Sequence, residues 1–395
     1  MCRPFRLHTA HLILLSLATS CFAHGVPCPP QTQIDFVEAH DLSLVNSHFD
    51  HDPVKSHPYH RLPAAAEGVV RSAIWDLSLQ TAGFAVAFET DPAVRTIYVS
   101  YNLTSDLIGF VHMPPTGVSG ADLWAQDPSS GEWRWVGTTA PTNQTVCQRL
   151  VALQPPGTPG AVYPTRFLLY FPLYNGVSTL RIGVPHGSKP PTPCAGDCGL
   201  GLRSAKPIVW YGSSIAQGAC ASKPGDAYTN AIGRALKRPV ANFGFSGSCF
   251  FETNVMQYLL DIDAAAYVVD CDPNSDARGP DFVYNHSVAL GRQMLSVRPN
   301  AVIIVVSGTK EGAVWLEGTR SQHALGNAAI RRAYADLTDE YPKAALHFVD
   351  GDEIYSQPDA KEVFWEMTVM GTHPSSLGME RFTNFWVPRL RGLLG

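Results

Sequence analysis

The change of rhythm on either side of residues 187 to 206 constrains this chain more than any other feature. The segment runs Lys189-Pro190-Pro191-Thr192-Pro193 and then Cys194-Ala195-Gly196-Asp197-Cys198-Gly199, a composition expected to bury little and to bridge two folded units. Upstream, from about Gln31 to His186, short apolar stretches alternate with turn residues: Ala73 to Leu77, Phe84 to Phe88, Thr96 to Ser100, Trp133 to Val136 and Phe167 to Tyr170. Strands at that spacing, with hardly a helical period, predict an all-β sandwich or jelly roll over residues 31 to 186. Downstream, apolar strands are expected at Ile208 to Tyr211, Val240 to Phe243, Ala265 to Val269, Ala301 to Val306 and Leu346 to Val349. Between them Tyr228, Ile232 and Leu236 recur every four residues, and Tyr334, Leu337 and Tyr341 form a second helical stripe. Residues 207 to 395 therefore predict an α/β unit, a doubly wound parallel sheet with its reactive groups at the strands' carboxyl ends. With 395 residues, 45% of them hydrophobic, the chain can fill two cores.

Only 16% of residues are charged, the net charge is −5 and no basic run occurs. This argues against a nucleic-acid or anionic-membrane partner and for a neutral or weakly charged substrate. Arg3 and Arg6, the apolar run Leu12 to Ala18 and the small residues at Cys21-Phe22-Ala23 read as a secretory signal over residues 1 to 23, so that the mature chain begins near His24. The apolar run is far short of the roughly 20 residues a spanning helix needs. Asn102, Asn143 and Asn285 each open an Asn-x-Ser/Thr site, a glycosylation acceptor in a eukaryotic secretory route.

Four segments could supply chemistry. Tyr211-Gly212-Ser213-Ser214-Ile215 places a serine in a Gly-flanked turn between strand and helix, where the helix N-terminus favours developing negative charge; taken alone it reads equally as a helix cap. Asn242-Phe243-Gly244-Phe245-Ser246-Gly247 and Asp270-Cys271-Asp272-Pro273-Asn274 end the next two strands, and Gly371-Thr372-His373-Pro374 sets a histidine ahead of a final helix. The backbone N–H groups of Ser214 and Gly247 and the Asn274 side chain are candidate donors to a tetrahedral oxyanion. The order of the four segments, and their common place at strand ends, make the joint reading.

These segments resemble the SGNH (GDSL-like) hydrolases, in the subgroup with an N-terminal domain marked by a Gly-x-Asp-Leu-Tyr motif. In the front half the resemblance rests on Arg61-Leu62-Pro63, on Gly120-Ala121-Asp122-Leu123-Trp124, with Trp in place of Tyr, and on Leu169 to Val177. It implies a flavodoxin-like sheet, Ser214 as nucleophile, His373 as base, and Gly247 and Asn274 in the oxyanion hole. It also implies hydrolysis of esters through an acyl-enzyme, without metal or organic cofactor, with small acyl groups on carbohydrates among the family's substrates. One departure is Met370, which stands where the family has an aspartate three residues before the histidine. Either His373 acts as a dyad base, oriented by a backbone carbonyl or by another acid such as Glu366, or the chain is a feeble enzyme or a non-catalytic binding protein. A third reading is an acyltransferase. The oligomeric state is not readable.

Of nine cysteines, Cys2 and Cys21 precede the cleavage site, leaving seven for an oxidising compartment. Cys220 and Cys249 follow the first two strand-end segments and are expected to form a disulfide. A bridge between Cys194 and Cys198 outranks zinc, and Cys271 reads as a buried thiol. His48, His51, His57 and His60 could be imagined as a metal site, but their Pro-rich surroundings favour solvated loop histidines, and no metal is expected.

Overall fold

The computed structural model describes residues 26–49, 54–153, 163–309, 317–356 and 364–395; the segment expected to be a secretory signal and His51 lie outside them. In the front half the strands are β1 (Val26–Pro27), β2 (Ile34–Glu38), β3 (Ser43–Val45), β4 (Ala85–Glu89), β5 (Thr96–Leu103), β6 (Asp122–Gln126), β7 (Trp133–Thr138), β8 (Thr145–Ala152), β9 (Arg166–Tyr170), β10 (Val177–Pro185) and β11 (Thr192–Pro193), with short helices α1 (Ser72–Ser78) and α2 (Pro115–Val118). They form two antiparallel sheets, β1-β8-β5-β10-β2 and β11-β4-β9-β6-β7, the second with β3 added against β4. Alternate residues face inward along each strand, so that Val99, Tyr101, Leu180 and Ile182 of one sheet meet Val86, Phe88, Phe167 and Leu169 of the other in one buried core.

Three features of this half differ from expectation. Ala73 to Leu77 is helical, within α1, because Ile74 must bury against the second half of the chain: Leu62, Ala66, Val70 and Ile74 pack with Val209, Tyr211 and Phe243. Tertiary packing here overrides β-branched propensity. Residues 192–200 are not a bare spacer: β11 pairs with β4, and Cys194, Cys198 and Leu200 are buried against Ala85, Ala87 and Leu168. His48 and His60 are not solvated loop histidines either. His60 packs edge-on against Trp75 at 6.1 Å, and burial pushes the His48 imidazole down to about 4. Among the described residues no cluster of metal-ligating side chains occurs.

The second half follows the expected strands closely: β12 (Ile208–Gly212), β13 (Val240–Gly244), β14 (Ala266–Asp270), β15 (Val302–Val306) and β16 (Leu346–Val349). All pair in parallel in the order β13-β12-β14-β15-β16, the flavodoxin-like arrangement. The intervening helices are α3 (Ser214–Gln217), α4 (Tyr228–Leu236), α5 (Thr253–Leu259), α6 (Asp272–Ser275), α7 (Pro280–Val297), α8 (Glu317–Glu340) and α9 (Ser376–Leu394), and a two-stranded ribbon, β17 (Thr368–Val369) and β18 (His373–Pro374), precedes α9. Strand alternation sends Val209 and Tyr211 of β12 to one face and Ile208 and Trp210 to the other, where Tyr228, Phe382 and Trp386 cover them. The chain reverses direction across the sheet between β12 and β14, the switch point where open α/β sheets leave a crevice.

Disulfides join Cys28 to Cys147 and Cys249 to Cys271, which corrects two expectations. Cys220 is a buried thiol, in a left-handed turn at the exit of α3, with its N–H on Met113 Sδ at 3.4 Å. Cys271, directly after β14, takes its place as the partner of Cys249, with a Cα separation of 4.9 Å. The reason is topological: β13 and β14 flank β12 on either side, so their carboxyl-end loops converge, whereas α3 carries Cys220 back toward the front half. Cys194 and Cys198 are buried thiols that share a hydrogen bond, with no bridge between them.

Candidate active site

β12 ends at Gly212, and Ser213, fully buried, caps α3: its Oγ accepts the Ile215 N–H at 3.3 Å. Capping duty therefore falls to Ser213, and the neighbouring hydroxyl is left for other work. Ser214 Oγ lies 2.8 Å from His373 Nε2, across 159 residues of sequence. The ribbon explains how His373 arrives there: Val369 and His373 are direct partners, and the connecting residues Met370 and Gly371 take left-handed backbone conformations. Met370 thus sits at a hairpin tip with its side chain 80% exposed. Burial holds the His373 imidazole below its ordinary value, and His112, which faces it, acts in the same direction. A depressed value keeps the ring neutral and able to accept a proton at neutral pH.

Gly247 lies in the turn after β13 at φ +65°, and a side chain there would meet nothing, so it is the backbone conformation that calls for glycine. Asn274, in α6, accepts the Cys249 N–H on Oδ1 at 3.2 Å, which leaves its amide donor face for a ligand. The Cys249–Cys271 bridge ties the loops of these two residues together. Gln217 adds a further tie, accepting the Ser246 N–H on Oε1 at 3.0 Å while its Nε2 donates to Leu173 O at 3.2 Å. Glu366 is exposed on a turn ahead of the ribbon and makes no hydrogen bond to His373 among the described residues. Asn102, Asn143 and Asn285 are exposed, on β5, ahead of β8 and on α7.

Sequence reasoning missed what the front half contributes. Phe110 and Met113 exchange both backbone hydrogen bonds, at 3.0 and 3.2 Å, so Val111 and His112 form a two-residue tip. The His112 ring lies 6.1 Å from that of His373 at 21° and stacks on its other neighbour, Phe110, at 5.6 Å. Phe110 meets Tyr174 edge-on at 5.5 Å, and the Tyr174 hydroxyl donates to Ser214 O at 3.3 Å. Arg61 is completely buried and donates to Gly244 O at 2.6 Å, Leu77 O at 2.6 Å and Gln80 O at 2.9 Å. Burial pushes its guanidinium down to about 9. Nothing in the local sequence around His112 separates it from any other loop histidine.

Asp122, in the Gly120-Ala121-Asp122-Leu123-Trp124 segment, is not part of this chemistry. It is fully buried and accepts from Trp124 Nε1, Trp135 Nε1, Thr138 Oγ1 and the Gly225 N–H at 2.9, 2.9, 2.5 and 2.8 Å. A Cβ on Gly225 would come within 2.4 Å of the carboxylate, so glycine is what permits this approach between the halves. Trp124, where the motif has tyrosine, stacks under Arg234 of α4 at 3.7 Å.

Residues 205–391 match the GDSL-like lipase/acylhydrolase family, and residues 34–189 match the N-terminal region of SGNH-hydrolase-type esterases. No curated protein matches the chain. Among solved structures, a protein of Bacteroides ovatus ATCC 8483 assigned as a GDSL-like lipase is 27% identical, with a TM-score of 0.78 over 91% of this chain and 98% of that one. The salicylyl-acyltransferase SsfX3 of a tetracycline biosynthetic pathway shares the fold at 15% identity, with a TM-score of 0.70 over 91% and 97% of the two chains. So does the acetyl xylan esterase Est2A of the rumen bacterium Butyrivibrio proteoclasticus, at 11% identity and a TM-score of 0.53 over 92% and 99%. Two family matches in sequence order, a 2-1-3-4-5 parallel sheet behind a β-sandwich and a serine on a histidine at its switch point lead to one conclusion: the chain belongs to the SGNH (GDSL-like) hydrolases, in the subgroup with a Gly-x-Asp-Leu-Tyr front region.

Proposed function

We propose that this protein is a secreted serine ester hydrolase that removes acetyl or other small acyl groups from carbohydrates or similar alcohols. The observation that carries the reading is the 2.8 Å approach of Ser214 Oγ to His373 Nε2 at the mouth of the parallel sheet. His373 Nε2 takes the hydroxyl proton as Oγ attacks the ester carbonyl carbon. The carbonyl oxygen becomes an oxyanion, received by the backbone N–H groups of Ser214 and Gly247 and by Asn274 Nδ2. His373 returns the proton to the leaving alkoxide, and a water repeats the sequence on the acyl-serine. No step requires a metal or an organic cofactor.

The substrate class follows the family and the carbohydrate esterases that share the fold. Secretion is supported by the leader, by two disulfides and by the exposure of all three Asn-x-Ser/Thr sites. A fluorophosphonate probe tests the nucleophile: it should label the wild type on Ser214, Ser214→Ala should lose labelling, and Ser213→Ala should keep it. An adduct on Ser213 would overturn the assignment, and no adduct at all would favour a binding protein that retains the fold.

A further inference from the structure

We propose that His112, on the front-half tip, is a positioning residue that holds the His373 imidazole in plane, the task an aspartate at position 370 performs in relatives. The inference rests on the esterase reading above. It begins from a deficit. A base that shuttles a proton between a hydroxyl and a leaving group must keep one ring orientation, and the usual restraint is a carboxylate on Nδ1. Here position 370 holds an exposed methionine at a hairpin tip, and no acceptor for Nδ1 occurs among the described residues.

Another restraint is present. The two imidazole planes are nearly parallel, at 21°, with centroids 6.1 Å apart, inside the range of offset aromatic stacking. Phe110 backs His112 at 8°, which makes a three-ring column, Phe110, His112, His373, ending on the ring that meets Ser214. The column has a firm foot. Met113 is buried and takes the Cys220 N–H on its sulfur, Thr116 Oγ1 donates to Ser222 O at 2.6 Å, and a Cβ on Gly117 would come within 2.2 Å of Ala221 O. Residues 220–222 follow α3, which begins at Ser214, and Ser222 N donates in turn to Ser376 Oγ at 3.1 Å, three residues beyond His373. The tip is thus fastened to the exit of the serine helix, and that exit to the start of the helix behind the histidine. A rigid wall of this kind restrains the ring's rotation about its side-chain bonds without forming a bond to Nδ1.

The same geometry gives a readout that mere structural support would not. The ionisable groups on the elements around His373 include His112 on the tip, the Cys220 thiol at the exit of α3, Lys223 and Asp226 on the turn before α4, paired with each other at 2.5 Å, Glu366 ahead of the ribbon, and Glu380 and Arg381 on α9. Of these, His112 acts on the imidazole, disfavouring its charged form. Removing His112 therefore moves the acid limb of kcat/KM to higher pH.

The experiment measures hydrolysis of p-nitrophenyl acetate against pH by the full chain and by His112→Ala, His112→Phe and Ser214→Ala. His112→Ala should lower kcat about 10- to 100-fold, the cost of a misplaced reacting group, with KM changed less than about twofold. His112→Phe, which keeps the stack, should return kcat to within about threefold of wild type. Both should shift the acid limb upward. Ser214-dependent turnover with kcat and acid limb indifferent to His112→Ala would overturn the proposal alone, as would a loss in KM only or a loss that phenylalanine does not restore. Absence of Ser214-dependent turnover in the wild type would instead remove the esterase reading, and this proposal with it.

Discussion

Met370 shows how much a single position can hide. Read in sequence, it is a lost carboxylate; in the fold, it is the left-handed, 80% exposed tip of the β17–β18 hairpin. An aspartate tolerates that backbone conformation better than methionine does. Its carboxylate, however, would project into solvent, where the pull on a neighbouring charge is weak. Met370→Asp should therefore raise ester turnover by no more than about tenfold, well short of the roughly 10⁴ that a tautomer-fixing carboxylate supplies; a larger rise would mean the hairpin turns the new side chain inward. That Ser214 and His373 meet was legible because strand-end position, glycine spacing and order agree on them. His112 was not, since a stacking contact between distant segments leaves no periodicity behind. The cysteines were half legible: disulfides were expected, but which of Cys220 or Cys271 meets Cys249 depends on strand order.

The ends of the parallel strands carry two further consequences. Cys249–Cys271 links the loop after β13 to the end of β14 and so holds Gly247 and Asn274 at a fixed separation. Peptide mapping without reductant should recover Cys28–Cys147 and Cys249–Cys271, with Cys194, Cys198 and Cys220 as thiols. Mild reduction should slow probe labelling at Ser214 by about tenfold or more, because a displaced oxyanion donor is costly; an unchanged labelling rate would show that the bridge is dispensable. At the end of β14 itself, burial pushes the Asp270 carboxyl up to about 7, opposed by the neighbouring Trp210 and Tyr228. Between the ordinary aspartate range and that value the folded state holds a proton that the unfolded chain has released. Stability consequently falls as pH rises from about 4 to about 7, and stays lower above. Asp270→Asn should flatten this slope and stabilise the fold at pH 8, by up to a few kcal/mol if the full displacement counts, read as a higher melting temperature; an Asn variant as pH-sensitive as the wild type would place the effect elsewhere, with Asp272, also pushed to about 7, next in line. Strand identity in this sheet was easy to read, since buried parallel strands are continuous apolar runs. α1 was not, because its helical state is imposed by what Ile74 packs against.

Taken as one object, the molecule has no clean division of labour. Arg61 and α1 come from the front of the chain yet complete the core of the α/β half, and the Phe110–Met113 tip reaches its histidine. Asp122 fastens the two by taking Gly225 N–H beside three donors of its own half. Asp122→Ala would take the acceptor from Trp124 Nε1, Thr138 Oγ1 and the Gly225 N–H and should cost about 3 kcal/mol or more. That corresponds to a fall of roughly 4 °C in Tm for a chain of this length, with both halves unfolding in one transition; two separated transitions would show that the halves hold together by other means. The carboxylate also has a meaning for inheritance. It is the hallmark by which the front region is recognised, but one of its four ligands is a glycine amide that only the other half provides. A gene segment carrying the sandwich by itself would encode a protein with an open lone pair at its seam, and a hydrolase grafted onto a foreign sandwich would lack the wall behind its histidine. Shuffling is therefore expected to transmit the pair whole or not at all.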